Sequence, residues 1–273
     1  MNISRKKFLQ QISVSGLAIA SGTAHQLLAT DIFDLRKKVK LRFIVASDSH
    51  YGQPNTDYDT FLRDSINRIN EIHSQNRLDF CVINGDIIHD KKEFLVQAKS
   101  IIAELKMPWF VTKGNHDMVS DVYWNEVFQM PVNHNVVIKN NAILLGTTSN
   151  EKGQYLSPNL LWMKEKLEES KSQKNTLIFI HIPQAKWTKN GIETAEFFEL
   201  LKNYPNVKAV FHGHEHDQDG IKIKNNVPFI FDSHIGGNWG TDYKGFRVNE
   251  LMKDNTLVTY MMNPKVRLKQ EIL

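Results

Sequence analysis

The stretch LRFIVASDSH, residues 41–50, joins an apolar run to two polar side chains. Residues 41–46 are long enough for one strand, and their nearly continuous apolar character is typical of a strand inside a protein. Asp48 and His50 follow where such a strand would end. The stretch therefore predicts a buried strand that carries a carboxylate and an imidazole at its carboxyl end.

The same arrangement recurs four more times along the chain. Apolar runs at residues 80–83, 109–112, 176–180 and 207–211 are each followed by a polar cluster, namely Gly85-Asp86, Gly114-Asn115-His116-Asp117, His181 and Gly213-His214-Glu215-His216. In α/β sheets the loops beyond the carboxyl ends of the strands form the usual ligand crevice. Five separated loops could therefore bring these side chains to one site.

Helical patterns alternate with the strands. Leu62, Ile66 and Ile69 recur at helical spacing, as do apolar residues between 94 and 105, and another helix is predicted over residues 194–201. Ser157 followed by Pro158 is typical of an N-cap with proline at the first helical position. Further strands are predicted at residues 136–138, 142–146, 228–231, 246–251 and 257–261. The alternation predicts an α/β layered fold, and 273 residues suit one catalytic domain.

The polar clusters contain seven candidate metal ligands, which are Asp48, His50, Asp86, Asn115, His181, His214 and His216. Carboxylate, imidazole and amide oxygen suit zinc, manganese or iron, and there is no thiolate among them. One ion needs about four ligands and one carboxylate can bridge, so the number of candidates indicates two ions. Two neighbouring ions can clamp a phosphoryl group and lower the pKa of a shared water. The set therefore predicts hydrolysis of a small phosphoester substrate.

The ordered blocks Asp48-x-His50, Gly85-Asp86, Gly114-Asn115-His116-Asp117, His181 and Gly213-His214-Glu215-His216 closely resemble the signature of the calcineurin-like metallophosphoesterases. The resemblance covers about residues 41–251. It implies two packed mixed β-sheets flanked by helices, a four-layer αββα sandwich, and two divalent or trivalent transition metal ions, with Mn, Fe or Zn as candidates. It also implies one metal site formed by Asp48, His50, Asp86 and His216, and another formed by Asp86, Asn115, His181 and His214. Asp86 would then bridge the two ions.

The same resemblance makes His116 and Asp117 the candidate catalytic residues. A protonated His116 could stabilise the phosphoryl oxygens or protonate the leaving alkoxide. Asp117 could orient His116 or the neighbouring backbone, and a purely structural role fits its position equally well. The chain departs from the family pattern at His181-Ile182-Pro183-Gln184, where many members carry a second histidine and a second proline. That departure puts one contact with substrate in doubt.

Two further groups of residues leave their roles open. His89 and Asp90 follow Asp86 by a few positions and could support the ligands or contact substrate. A second segment could form a rim facing the substrate, since an aromatic side chain beside flexible glycines suits a base or a sugar. It consists of His234, Gly236, Gly237, Asn238 and Trp239. A simple turn is the interpretation that its composition favours.

Two other functions compete with phosphoester hydrolysis. A non-catalytic scaffold of the same fold would be expected to lose ligands, yet all seven positions and His116 are present. A nuclease would be expected to carry a basic groove. The net charge is +4, but Arg5, Lys6 and Lys7 lie in a first segment without acidic residues, so the remainder is nearly neutral. The chain therefore has no strong nucleic-acid signature.

The first 29 residues predict an export signal. Arg5, Lys6 and Lys7 precede a modest apolar run at residues 12–24 that is too short and too polar to span a bilayer. Ser4-Arg5-Lys6-Lys7-Phe8-Leu9 also resembles the twin-arginine export consensus, with Lys6 in place of the second arginine. A general secretory signal fits as well, and an amphipathic first helix is the alternative.

These patterns predict an exported, periplasmic protein with three regions. Residues 1–29 are expected to form the signal region, 40–263 the metallophosphoesterase domain, and 264–273 a C-terminal tail. No later segment has the roughly 20 apolar residues that a transmembrane helix needs. Cys81, the only cysteine, lies in an apolar run, so we expect a buried, inert thiol and no intrachain disulfide.

Overall fold

The computed structural model describes residues 38–264 and the backbone of segments 16–20 and 23–27. It contains two sheets, and β3 (Val39–Ala46) lies inside the first. Its neighbours are β4 (Phe80–Asn84), which is parallel, and β12 (Phe246–Met252), which is antiparallel. β4 also pairs in parallel with β5 (Trp109–Thr112) at one edge. The seven-stranded sheet is completed, through antiparallel pairings, by β13 (Leu257–Met262), β1 (Gly16–Ala20) and β2 (Thr23–Leu27).

The second sheet has six strands and is also mixed. Its inner strands run parallel to one another, and they are β7 (Asn141–Gly146), β8 (Asn175–Ile180), β9 (Val207–His212) and β11 (Val227–Phe231). Two strands close its edges through antiparallel pairings, and they are β6 (His134–Ile138) and β10 (Ile221–Lys224).

The alternation of side chains along β3 explains how the layers pack. Leu41, Phe43 and Val45 belong to the apolar layer between the two sheets, which also contains side chains from β7, β8 and β9. Ile44 and Ala46 point the opposite way, into the core beneath the helices. A strand that is buried on both faces needs apolar residues at successive positions, which accounts for the nearly continuous run at residues 41–46.

Helices cover the outer face of each sheet. α1 (Tyr58–Gln75), α2 (Leu95–Ile102) and α3 (Asp121–Phe128) pack on the first sheet, and a short 3-10 helix, Lys92–Phe94, precedes α2. α4 (Leu160–Glu169) and α5 (Ala195–Leu201) pack on the second. The predicted arrangement of two mixed sheets flanked by helices is therefore confirmed.

An aromatic cluster centred on Phe43 joins the two sheets. Phe43 is fully buried, and its ring stacks in parallel on Phe80 with 4.8 Å between the centroids. Phe179 and Phe211, from β8 and β9, meet Phe43 edge-on at 6.2 and 5.6 Å. Because these rings come from both sheets, their packing fixes the position of one sheet against the other.

Some local predictions differ from the structure. The prediction of Ser157 as an N-cap is wrong, because α4 is capped by Asn159, whose side chain accepts a hydrogen bond of 3.1 Å from the amide of Trp162. α3 is missing from the prediction, and it buries only Trp124 and Phe128. β10 is missing as well, because its sequence, IKIK, shows no sign of burial at this sheet edge.

The predicted export signal at residues 1–29 lies largely outside the described residues, as does the predicted tail at 264–273. Export therefore stays a prediction. Among the residues with described structure, none of the helices combines the length and the apolar character that crossing a bilayer requires.

Candidate metal centre

Five strands deliver the candidate ligands to one end of the two sheets. β3, β4 and β5 run parallel in the first sheet, as do β8 and β9 in the second. The turns at their carboxyl ends carry all seven predicted ligands, namely Asp48, His50, Asp86, Asn115, His181, His214 and His216. Ion-pair distances below 4 Å connect residues of the first sheet with His181 and His216 of the second.

The backbone takes an unusual conformation at four of these residues. Asp48, His50, Asp86 and His214 have φ values of 58°, 42°, 49° and 69°, in the left-handed region that costs a non-glycine residue about 1–3 kcal/mol. Backbone hydrogen bonds between loops hold the turns in place: the amide of Asp48 donates to the carbonyl of Gly85, and that of His50 to the carbonyl of Asp86, both at 3.0 Å. These hydrogen bonds offset the cost of the strained backbone. The strained conformation in turn aims the side chains inward.

The first cluster consists of Asp48, His50 and His216, which are all buried and offer ligand atoms within 4.8 Å of one another. Nε2 of His216 lies 3.0 Å from Nε2 of His50 and 3.2 Å from Oδ1 of Asp48. The other oxygen of Asp48 accepts a hydrogen bond of 2.9 Å from the amide of His214. One oxygen therefore fixes the Asp48 carboxylate, and the other faces the cluster.

The second cluster consists of Asp86, His181 and His214, also within 4.8 Å of one another. Nδ1 of His181 lies 2.7 Å from the carbonyl oxygen of Asn84, which can only accept, so Nδ1 carries the proton and Nε2 faces the cluster. Nε2 of His181 is 3.1 Å from Oδ2 of Asp86. Asn115 lies on the loop beside Asp86.

Asp86 connects the two clusters. Its Oδ1 accepts a hydrogen bond of 2.7 Å from the amide of His116. Its Oδ2 is 3.1 Å from Nε2 of His181 in the second cluster and 3.7 Å from Nε2 of His50 in the first. A single carboxylate oxygen thus faces ligand atoms of both groups, as a bridging ligand requires.

The electrostatics of the clusters fit metal ions. Burial lowers the pKa values of His50 and His214 to about 4, so both are neutral near pH 7 and have a lone pair to offer. Burial would raise the pKa values of Asp48 and Asp86, but the protonated His181 beside them holds both below their ordinary values. Burial would lower the pKa of His181, but Asp86 and Asp48 raise it to about 10, so His181 carries the positive charge of this cluster until a metal ion takes the place of its proton. Carboxylates held ionised in the interior need cations beside them.

Unpaired polar atoms point to the same conclusion. Nε2 of His214 and Oδ1 of Asn115 are buried and have no hydrogen-bond partner among the residues that the structure describes. Buried polar atoms usually find a partner, because a buried polar atom without a hydrogen bond costs about 1–3 kcal/mol. A metal ion in the second cluster would satisfy both atoms, so the residues present fit a metal.

His116 stands at the edge of the clusters, and its side chain is 28% exposed. Its Nδ1 lies 2.7 Å from Oδ1 of Asp90, and the ring of His89 stacks on it with 5.0 Å between the centroids. Burial would lower the pKa of His116, but Asp86 and Asp90 raise it above the ordinary histidine value. The sequence left the roles of His89 and Asp90 open, and the structure places both against His116.

Asp117 faces the backbone. Its Oδ1 accepts from the amide of Ile88 and its Oδ2 from the amide of Gly114, both at 2.9 Å, and the residue is fully buried. Burial, reinforced by Asp86, raises the pKa of Asp117 to about 7. The contacts tie the loop of Asn115 and His116 to the loop after Asp86, so Asp117 acts on the site through the backbone.

The segment with His234 and Trp239 lies against the centre, whereas the sequence favoured a simple turn. The His216 ring is sandwiched between the ring of His234, at 4.7 Å, and the indole of Trp239, at 4.3 Å. Gly240 permits this approach, because its φ is +113° and a Cβ there would lie 2.4 Å from Cβ of His216. The two flanking rings hold His216 in one orientation.

Comparisons with known proteins give a family match and several similar folds. The family model for calcineurin-like phosphoesterases matches residues 41–218. A dimetal phosphatase from Danio rerio superposes with a TM-score of 0.66 at 15% identity, covering 86% of this chain and 100% of that chain. GAP50, the anchor in the inner membrane complex of Plasmodium, gives 0.61 at 15% identity, covering 85% and 87%.

The calcineurin-like phosphoesterase YfkN from Bacillus subtilis gives a TM-score of 0.55 at 15% identity, covering 86% of this chain and 93% of that chain. At such identities the similarity shows the fold. The sequence has no significant match among curated proteins.

Proposed function

The chain belongs to the calcineurin-like phosphoesterases, and on that premise we propose that it is a binuclear metal-dependent hydrolase of phosphomonoesters or phosphodiesters, with nucleotides and cyclic nucleotides as candidate substrates. The observation that carries the proposal is the position of Asp86, whose Oδ2 faces ligand atoms of both clusters at 3.1 and 3.7 Å. A centre that shares one carboxylate oxygen suits two ions.

Each ion would take four ligands from this chain. One set is Asp48, His50, Asp86 and His216, and the other is Asp86, Asn115, His181 and His214. The donors are oxygen and nitrogen only, which suits Mn, Fe or Zn. When bound, such ions polarise phosphoryl oxygens and lower the pKa of water.

His116 is suited to handle the proton of the leaving group. Because its Nδ1 faces Asp90, its Nε2 is the atom left to contact substrate. The raised pKa of His116 favours the charged form, in which that nitrogen also carries a proton. Nε2 can then donate to a phosphoryl oxygen or to the departing alkoxide. Asp90 is a positioning residue, since it orients His116 and favours the charged form.

The experiment measures metal content and hydrolysis in the same purified protein. The native chain should bind two ions and hydrolyse p-nitrophenyl phosphate or its bis-ester. Asp86→Ala should lose metal and reduce kcat/KM. The reduction should exceed roughly 100-fold, because loss of a residue that only hydrogen-bonds to a metal ligand already costs roughly 10–100-fold. Asp254→Ala, the same substitution on an exposed hairpin, is the control and should change neither.

Three outcomes would count against the proposal. Folded protein that binds no metal and hydrolyses nothing would refute it. Metal binding without hydrolysis would favour the non-catalytic scaffold. Salt-sensitive cleavage of DNA or RNA, without activity on small esters, would favour the nuclease.

We also propose that the protein is exported to the periplasm. The basic residues Arg5, Lys6 and Lys7, followed by the apolar run at residues 12–24, support this location. Replacing Arg5 and Lys6 with glutamine should leave the protein in the cytoplasm if the twin-arginine-like route is used. Unchanged export of that variant would exclude the route.

A further inference from the structure

Two exposed aromatic side chains stand beside the metal centre. Trp239 is 42% exposed and Tyr155 is 40% exposed. Among the large hydrophobic side chains that are well exposed in the described part of the chain, these two are the aromatic ones. The others are aliphatic, namely Val96, Met118, Val122, Val137, Leu156, Leu161 and Ile223. Both contact a histidine of the proposed metal centre, so their exposure is concentrated at one functional location.

The two rings contact histidines of different clusters. Trp239 lies parallel to His216, with 4.3 Å between the centroids and 9° between the planes, and His216 belongs to the first cluster. Tyr155 stands perpendicular to His214 at 4.8 Å, and His214 belongs to the second cluster. A substrate whose phosphorus lay between the clusters would therefore have one of these rings near each cluster.

The indole of Trp239 is held rigidly. One of its faces is covered by His216, and the rings of His50 and His89 pack against it at 4.8 and 6.3 Å. The carbonyl oxygen of Trp239 accepts a hydrogen bond of 3.2 Å from Nδ1 of His216, which fixes the backbone as well. The exposed surface that remains is flat and preorganised, so a planar ligand can stack on it without ordering the side chain first.

We propose that Trp239 and Tyr155 are specificity-determining residues that select phosphoesters with a planar aromatic or heteroaromatic leaving group. The ring stacks on the exposed part of the Trp239 indole, and Tyr155 bounds the site beside the second cluster. The inference rests on the proposed hydrolysis at the same centre. Stacking of this kind tolerates many ring types because every planar ring offers a π-face, and it contributes a factor of about 5 to 100 to affinity.

The apolar side chains Met118 and Leu156 make an alkyl chain the main competitor. They are 39% and 43% exposed, and Leu156 is adjacent to Tyr155 in the chain. A long alkyl group would be favoured by apolar area of any shape, whereas a ring benefits specifically from the flat indole. Aromatic and alkyl ligands of similar apolar area therefore separate the two possibilities.

The experiment uses inhibitors, since they report binding without the chemical step. The probes are 1-naphthylmethylphosphonate and n-octylphosphonate, assayed against hydrolysis of p-nitrophenyl phosphate by the metal-loaded enzyme. The naphthyl compound should bind more tightly to the native enzyme. Trp239→Leu should weaken its binding by about 5- to 100-fold and change octylphosphonate binding by less than about twofold. Trp239→Phe should restore part of the loss, and Tyr155→Leu should weaken the naphthyl compound further in the double variant.

Several results would overturn the inference. Equal weakening of both inhibitors together with lost metal would show that Trp239 only positions His216. Greater weakening of octylphosphonate would identify an alkyl site, and unchanged binding of both would remove the contact altogether. Leu161→Ala, on an 80% exposed helical position, is the control. If the native enzyme hydrolyses p-nitrophenyl phosphate but does not prefer the naphthyl ligand, this inference fails while the proposed function stands.

Discussion

Gly114→Ala should damage the metal centre while leaving the fold intact. A Cβ at Gly114 would lie 2.2 Å from Oδ1 of Asp86 and 2.3 Å from its backbone nitrogen, whereas ordinary contact begins at 3.4 Å. Asp86 or the Gly114 loop must therefore move by about 1 Å. Asp86 is not free to yield, because its Oδ1 accepts from the amide of His116 and its carbonyl accepts from the amide of His50.

A misplacement of about 1 Å near a reacting centre can cost about 100-fold in rate. We therefore expect Gly114→Ala to reduce kcat/KM for p-nitrophenyl phosphate by about that factor and to weaken binding of at least one ion. The strain of overpacking should lower the free energy of unfolding by about 1–3 kcal/mol. Metal titration, steady-state kinetics and urea unfolding of chelator-treated protein measure the three effects.

Gly220→Ala is the matched control, because a Cβ at Gly220 would meet no atom of residues 38–264 within 4 Å. It should leave metal binding and kcat/KM unchanged. If Gly114→Ala bound two ions with native affinity and kept kcat/KM within twofold, the claim that Asp86 is fixed in a bridging position would be wrong.

Other predictions address the outer residues and the core. Asp90→Asn should keep the metal content but lower kcat by about 10–100-fold, because His116 loses the carboxylate that orients it; loss of metal would contradict that role. Burial, reinforced by Asp48, raises the pKa of Asp232 to about 8, so its cost to the folded state is absent below about pH 4 and grows as the pH rises to 8. Asp232→Asn should remove that dependence. Between about pH 4 and 8, its free energy of unfolding should therefore exceed that of the native chain by a margin that grows by about 1 kcal/mol per pH unit. Urea unfolding of chelator-treated protein measures this margin, and parallel pH profiles of the two proteins would refute the prediction. Phe43→Ala should cost about 3–5 kcal/mol in the same assay, since the ring is fully buried between the sheets, and a loss below 1 kcal/mol would show that the aromatic cluster is dispensable.

The strand ends could be predicted from the sequence because two independent signals coincide there. Apolar runs such as residues 41–46 fix where buried strands lie, and parallel strands bring their carboxyl ends together. Asp48, Asp86 and His181 each follow such a run directly. Convergence of the ligands was therefore predictable before any side-chain position was known.

Contacts between loops were not predictable in the same way. Asp90 meets His116 across 26 residues of sequence, and Trp239 meets His216 across 23. Neither contact follows from periodicity, because the loops involved have no repeating pattern. Asp117 shows a related difficulty. The sequence places it beside His116, but it does not indicate which way the carboxylate points.

The short elements were missed for another physical reason. α3 has eight residues and buries two of them, so its helical period is sampled too few times to be recognised. The start of α4 was misplaced because Ser157 before Pro158 matches the usual pattern of an N-cap, whereas Asn159 is the side chain that accepts from the first turn.

Each cluster of candidate ligands draws its side chains from both sheets. Asp48 and His50 come from the first sheet and His216 from the second, while Asp86 and His181 divide in the same way. Cys81 is the only cysteine, so no disulfide can join the layers. Bound ions would therefore cross-link the two sheets at one end. The stabilisation of the folded state by these ions would grow with the free metal concentration. Stripping the ions should let amide protons near that end exchange with solvent sooner than those around Phe43.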